Sequence, residues 1–363
     1  MKQLARRCVV NLPPYPPGKP IEELEREMGI FGSIKLASNE NPLGPSPKAM
    51  QAITENLQQI HRYPDANAFY LREKLADRFA LPMDRITVGN GSDELIELVL
   101  HAFLFRGQEV IIPLPAFLLY KTFAQSFDGK VITVPLSGLT LDLPGMLKAV
   151  SPKTKVVIIN NPHNPTGAAI TGERLSDFLN ALPLDVVVVL DEAYIEFATD
   201  PKVVSGLEFL DSHPRLVVLR TFSKLYGLAG LRIGYGFASD MVTESINRVR
   251  PPFNVNSLAQ IGALGALDDD EFVEKTLAVI RKGLLFLREQ VNRLGLEYVP
   301  TQANFFLIKT PLGARETYQR MLKEGVIVRS MESYGLPDYI RVNVGLPEEN
   351  ERFINTLEKV LSS

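Results

Sequence analysis

Between about residues 46 and 237, short apolar runs rich in β-branched residues alternate with stretches of helical periodicity. The runs fall at 86–88, 110–112, 131–134, 156–159, 186–190, 216–219 and 233–237. Apolar runs without a regular polar alternation suit strands covered on both faces. Between the first two, Leu95, Leu98, Val99, Ala102 and Phe103 stand at i, i+3, i+4, i+7 and i+8, the stripe of an amphipathic helix that can begin at Ser92. Strand, helix and strand repeated in this way predict an α/β fold with a mostly parallel sheet.

The rhythm changes on either side. Beyond Arg250-Pro251-Pro252 come a long helical stretch at 268–294, an apolar run at 304–309, another helix and a run at 339–344, which predict a smaller α+β domain. Residues 11–20 carry five prolines, which lack amide donors and have fixed φ, so this piece is expected to run extended over a surface as an arm. The expected division is an N-terminal arm at 1–45, a large domain at 46–250 and a small domain at 251–363. A length of 363 residues with 45% hydrophobic residues agrees with two domains around sizeable cores.

Charge and cysteine usage narrow the class. The 39 Lys and Arg are scattered among 42 Asp and Glu, and no basic run would neutralise a row of phosphates, so nucleic acid is not expected as a partner. The apolar stretches fall far short of the ~20 residues that span a bilayer. Residues 1–10 do not read as a signal peptide, and Cys8, the one cysteine, cannot pair within the chain. A cytoplasmic protein is expected. The four histidines, His61, His101, His163 and His213, show no metal-ligand spacing, so no metal site is expected.

In open parallel sheets ligands bind beyond the carboxyl ends of strands, and four such ends are rich in polar groups. Gly89-Asn90-Gly91-Ser92-Asp93-Glu94 is a glycine turn before a helix, able to bring amides to an anion. It is equally an ordinary strand-to-helix turn, and Glu94 stands where a dinucleotide fingerprint needs its last glycine. Asp191-Glu192 resembles the acidic strand end of a nucleotide hydrolase, but the chain holds no G-x-x-x-x-G-K-[ST] loop; alone, Asp191 is as readily a structural carboxylate. There is no G-x-S-x-G nucleophile elbow. Lys224 follows an apolar run and two hydroxyls, Thr221 and Ser223, and precedes a glycine-containing segment ending in Arg232. A lysine so placed can form a Schiff base if partly desolvated, and the hydroxyls with Arg232 can hold a phosphate.

Asn164 in an N-P-T-G turn, Asp191 and Tyr194 in D-E-A-Y, and Lys224 and Arg232 in S-K-x-x-G-L-A-G-L-R together resemble the fold-type I pyridoxal-phosphate aminotransferases. The stretches at 38–45 (SNENPLGP), 62–65 (RYPD), 115–120 (PAFLLY) and 339–345 (YIRVNVG) are similar to histidinol-phosphate aminotransferases, and the resemblance runs from Asn11 nearly to the end of the chain. It implies pyridoxal 5′-phosphate as cofactor and a homodimer. Lys224 would carry the cofactor and shuttle a proton, while Asp191 would pair with the pyridinium nitrogen. Tyr194 and Asn164 would bond the phenolic oxygen and Phe117 would stack on the ring. Thr221, Ser223, Arg232 and the amides of Gly91, Ser92 and Asp93 would grip the phosphate, and Tyr63 would reach the phosphate of a neighbouring subunit. Arg341 and Arg329, with Tyr15 of the arm and Asn39, would hold the substrate, the arginines taking its anionic end.

The implied reaction converts L-histidinol phosphate and 2-oxoglutarate to imidazole acetol phosphate and glutamate. Aromatic aminotransferases share nearly all the cofactor residues. Ala116 and Leu118 replace small hydroxylated residues and make one pocket wall more apolar, so an aromatic donor is the alternative. A decarboxylase of the same fold and a cofactor-binding regulator are further alternatives; the latter would carry a DNA-binding domain, and the 38 residues before the NENP stretch show no helix-turn-helix pattern.

Overall fold

A computed structural model describes residues 4–15 and 18–362. Pro16 and Pro17 of the proline-rich stretch, and residues 1–3, lie outside the described residues. The seven apolar runs become seven strands, Ile86–Gly89, Glu109–Leu114, Lys130–Pro135, Thr154–Asn160, Val187–Asp191, Leu216–Thr221 and Gly234–Phe237. They form one sheet in which Thr154–Asn160, Val187–Asp191 and Leu216–Thr221 lie side by side and parallel. Glu109–Leu114 and then Lys130–Pro135 extend it in parallel on one side. On the other side Gly234–Phe237 runs antiparallel to both its neighbours, Leu216–Thr221 and Ile86–Gly89. Six strands therefore point the same way, and their carboxyl ends share one edge.

Alternate residues of the central strands enter different cores, which is why these runs are apolar throughout. Val157, Ile159, Val188, Leu190 and Val218 pack into the larger cluster on one face. Val156, Ile158, Val187, Val189, Val217 and Leu219 pack on the other face with Leu95, Leu98 and Val99 of the Ser92–Phe103 helix. Each such side chain, fully buried, contributes roughly 1.5–3 kcal/mol.

A three-stranded antiparallel sheet follows, with Tyr339–Asn343 between Arg329–Ser330 and Phe305–Lys309. The Asp270–Arg293, Ala314–Lys323 and Pro347–Ser362 helices accompany it. Residues 12–15 and 18–20 of the proline-rich stretch take neither helix nor strand, and a helix that the sequence reading did not name follows them. Residues Ile21–Met28 form a helix closed by Gly29 in the left-handed conformation, and buried Leu24 packs with Ala37, Leu322 and Ile327. Ile34–Lys35 then pairs in parallel with Val326–Ile327. The Ser257–Leu267 helix lies so close to the Pro47–Asn56 helix that a Cβ on Gly265 would stand 2.6 Å from the Lys48 carbonyl oxygen. No described helix is long and apolar enough to cross a membrane.

Candidate active site

A cavity of about 240 Å³ opens at the carboxyl edge of the main sheet. Every strand pointing that way, the edge strand Lys130–Pro135 excepted, delivers a residue to it or just behind it. Ser92 and Asp93 come from the turn after Ile86–Gly89, Phe117 follows Glu109–Leu114, Asn160 and Asn164 follow Thr154–Asn160, Asp191 ends its strand, and Thr221, Ser223 and Lys224 close the row.

One end of the cavity is built to receive an anion. Ser92 begins a 12-residue helix whose first amides have no helical acceptors and whose dipole favours negative charge. Gly91 precedes it at φ +82°, and a Cβ there would stand 2.6 Å from Arg232 Nη2, so glycine satisfies both the backbone and the approach of the guanidinium. Gly234 in the neighbouring strand lets the helix start sit against the sheet, since its Cβ would meet Ser92 N at 2.4 Å. Arg232 Nη2 donates to Asp93 Oδ2 at 3.2 Å, and Thr221 and Ser223 line the same end.

Asp191 sits at the carboxyl end of the central strand, 5% exposed. Its Oδ2 accepts a hydrogen bond from Tyr120 Oη at 2.5 Å and its Oδ1 one from the Ala193 amide at 3.0 Å. Burial pushes the carboxyl up to about 6 against those two bonds, with Asp93 and Glu192 adding to the rise. Glu192, next in sequence, faces away and accepts from Arg220 Nε at 3.1 Å and from the Gly206 amide at 2.5 Å. The Asp-Glu pair therefore divides between a cavity and a buried ion pair and does not act as a joint metal ligand.

Lys224 Nζ donates to the Ser38 carbonyl at 2.9 Å. Burial first, and then the charge of Arg341, lower its ammonium to about 8, so roughly a tenth of it is neutral at pH 7, far more than for an ordinary lysine. Asn164 Oδ1 accepts from Arg341 Nη1 at 2.5 Å, which leaves the Asn164 amide nitrogen to donate into the cavity. Asn160 fixes that turn, its Oδ1 accepting from the Asn164 backbone N–H at 2.5 Å and its Nδ2 donating to the Asp191 carbonyl at 2.8 Å. Tyr194 Oη accepts from Asn39 Nδ2 at 2.9 Å, and burial raises the phenol, which stays protonated.

The comparisons with known proteins agree with this geometry. Residues 32–357 match the family model for aminotransferase class I and II. The chain is 48% identical to histidinol-phosphate aminotransferase 2 of Carboxydothermus hydrogenoformans, over 99% of each chain. It is 46% identical to the protein of the same name from Pasteurella multocida, over 97% of each. The chain belongs to the histidinol-phosphate aminotransferases. Among solved structures, that of the Sinorhizobium meliloti histidinol-phosphate aminotransferase in complex with pyridoxal-5′-phosphate superposes with a TM-score of 0.91 at 26% identity, covering 99% of this chain and 98% of that one. The L-threonine-O-3-phosphate decarboxylase of Porphyromonas gingivalis gives 0.81 at 27% identity, covering 91% of this chain and 100% of that one.

For a histidinol-phosphate aminotransferase the donor set fits pyridoxal 5′-phosphate. Amides, hydroxyls and Arg232 meet at one end for a phosphate, a buried carboxylate waits at the other for a ring N–H, and Phe117 and Lys224 stand between them.

Of the residues expected from the sequence, Ser92, Asp93, Phe117, Asn164, Asp191, Tyr194, Thr221, Ser223, Lys224 and Arg232 line one cavity. Asn39 and Arg341 lie immediately behind it, bonded to Tyr194 and Asn164. Tyr15 packs edge-on against Phe117 with centroids 6.2 Å apart, and Arg329 lies directly across from Arg341 in the antiparallel strand pair. Tyr63 is not brought to this cavity: it is 82% exposed and stacks on Phe253 at 4.8 Å. Ser38, Asn160 and Tyr120 were not singled out as site residues. Ser38 and Tyr120 lie inside the 38–45 and 115–120 stretches and Asn160 stands four residues before Asn164, and those stretches are the signal available for them. Tyr120 meets Asp191 from 71 positions away through the fold alone.

Proposed function

We propose that this enzyme transfers the amino group of L-histidinol phosphate to 2-oxoglutarate, yielding imidazole acetol phosphate and L-glutamate, as a cytoplasmic homodimer. The observation that carries the reading is Lys224, an amine lowered to about 8 in a cavity with a buried carboxylate at one end and an anion cradle at the other. Pyridoxal 5′-phosphate, when bound, supplies the electron-withdrawing ring that lets the substrate α-hydrogen leave as a proton.

The chain's own residues do the rest. Lys224 would hold the cofactor and, as a free amine, would move a proton between the substrate α-carbon and the cofactor C4′. Asp191 holds the ring nitrogen protonated, since an ionised carboxylate in low dielectric strongly favours a cation beside it. Asn164 and Tyr194 donate to the phenolic oxygen, Phe117 covers a ring face, and Thr221, Ser223, Arg232 and the Ser92 helix start hold the phosphate.

Arg329 and Arg341 select the substrate. They are partners across the antiparallel pair and so share a face of the sheet. Like charges placed in this way repel, and an anion between them relieves the repulsion, whether the phosphate of the amino donor or a carboxylate of the acceptor pair. Burial lowers the Arg341 guanidinium, and Arg329 adds to that effect.

The homodimer reading is supported by exposed Ile60, Tyr63, Phe69 and Tyr70, an apolar set beside the Arg-Tyr-Pro-Asp turn that a second copy would cover. Cytoplasmic placement is supported by the single, unpaired Cys8. Steady-state kinetics with 2-oxoglutarate as acceptor test the substrate. A kcat/KM for L-histidinol phosphate well above that for L-phenylalanine is expected, while equal or better use of phenylalanine would overturn the reading. Release of carbon dioxide with no keto acid present would replace it by a decarboxylase.

A further inference from the structure

Tyr120 is wholly buried on the Leu118–Ser126 helix and reaches across to the end of the central strand, where its hydroxyl donates to Asp191 Oδ2 at 2.5 Å. The same helix is preceded by Phe117, whose ring meets that of Tyr120 edge to face at 5.5 Å. A single short element thus carries both the ring beside the cofactor space and the partner of the cavity's inner carboxylate. Resting on the cofactor reading above, we propose that Tyr120 is a positioning residue that holds Asp191 in its ionised form and so keeps the pyridine ring nitrogen of the cofactor protonated.

The environment of Asp191 opposes ionisation without such a donor. Burial favours the neutral acid, and Asp93 and Glu192 contribute negative charge. The groups facing Asp191 that donate to it are the Tyr120 hydroxyl and the Ala193 amide. Both lower its proton affinity, and the Tyr120 phenol itself is raised well above its ordinary range by burial and by Asp191, so it donates at any working pH. With a ring nitrogen beside Asp191 a single proton has two homes, nitrogen or carboxylate. A donor on the carboxylate favours the charge-separated arrangement with the proton on nitrogen, the form that can accept electrons from the substrate α-carbon. Proton count is the same in both arrangements, so the effect appears in where the proton sits more than in a pH profile.

The test uses holoenzyme loaded with cofactor labelled with ¹⁵N in the ring, comparing wild type with Tyr120→Phe, which keeps the ring contacts and removes only the donor. The wild type is expected to show a protonated ring nitrogen and Tyr120→Phe a resonance shifted toward unprotonated pyridine. Cofactor affinity should weaken roughly tenfold to hundredfold, the span for losing a hydrogen bond to a charged group, and kcat should fall with KM for histidinol phosphate little changed. Replacing Tyr120 by 3-fluorotyrosine, a stronger donor of nearly the same shape, should hold the nitrogen protonated and leave cofactor affinity at or above the wild-type level. An unchanged ¹⁵N resonance in Tyr120→Phe would overturn the proposal even if activity fell. A wild-type protein that bound no cofactor would overturn the underlying reading instead.

Discussion

At the scale of single residues, chemistry is set by what each buried group is denied. Lys224 is denied water and faces Arg341, which lowers it to about 8. Asp191 is denied water and is raised from 3.8 to about 6. The linkage sign for Asp191 follows directly: its folded-state affinity for a proton exceeds the unfolded one, so its favourable contribution is complete below 3.8 and is lost as pH rises through about 6. Above that range the cofactor-free protein carries a penalty on the order of 3 kcal/mol. Asp191→Asn should therefore raise the Tm of the cofactor-free protein above that range while weakening cofactor binding, as thermal denaturation and cofactor titration would show. A variant whose cofactor-free form is no more stable there than wild type would remove this account of Asp191. The sequence pointed to Asp191 and Lys224 because each ends an apolar run. It could not show the Tyr120 contact, since residues 71 apart meet only when a helix is laid over the sheet.

At the scale of elements, strands place the site and a few helices tune it. The main strands were legible because both faces are covered and their sequences are accordingly apolar throughout; the Ser92 helix was legible from its stripe. The Ile21–Met28 helix was masked by the prolines before it, although Ile21, Leu24 and Met28 do keep helical spacing. On the small sheet, the Arg329 and Arg341 register makes a prediction about substrates. Arg341→Ala should raise KM roughly tenfold to hundredfold for histidinol phosphate and for glutamate alike, because one cationic face serves both anions. Loss confined to one of the two substrates would mean that the anions bind at separate places. Since Arg341 also donates from Nη1 to Asn164 Oδ1 and from Nη2 to the Ala37 carbonyl, Lys, which cannot span these two acceptors, should restore only part of the affinity.

At the scale of the whole molecule, the N-terminal segment is tied to the small sheet by the bond from Arg341 Nη2 to the Ala37 carbonyl and to the cavity by Tyr15 against Phe117, so the arm, the small sheet and the main sheet meet around one site. The homodimer expectation came from the family resemblance and not from the apolar and polar pattern, in which the Arg-Tyr-Pro-Asp stretch around Tyr63 reads as an ordinary turn. If a second copy brings Tyr63 to the phosphate, mixing inactive Tyr63→Phe subunits with inactive Lys224→Ala subunits should regain activity, with up to one intact site in each mixed dimer. No recovery after confirmed subunit exchange would mean that each chain completes its own site.

The central claim is that Lys224, Asp191 and the anion cradle form an aminotransferase centre for histidinol phosphate. Its most direct test is the absorbance spectrum of the purified holoenzyme before and after adding L-histidinol phosphate with no keto acid, with L-phenylalanine in a parallel cuvette. Fast conversion of the visible band of the lysine-bound cofactor to the pyridoxamine form by histidinol phosphate is the predicted result. Conversion by phenylalanine alone, or no visible band after adding pyridoxal phosphate, would contradict it.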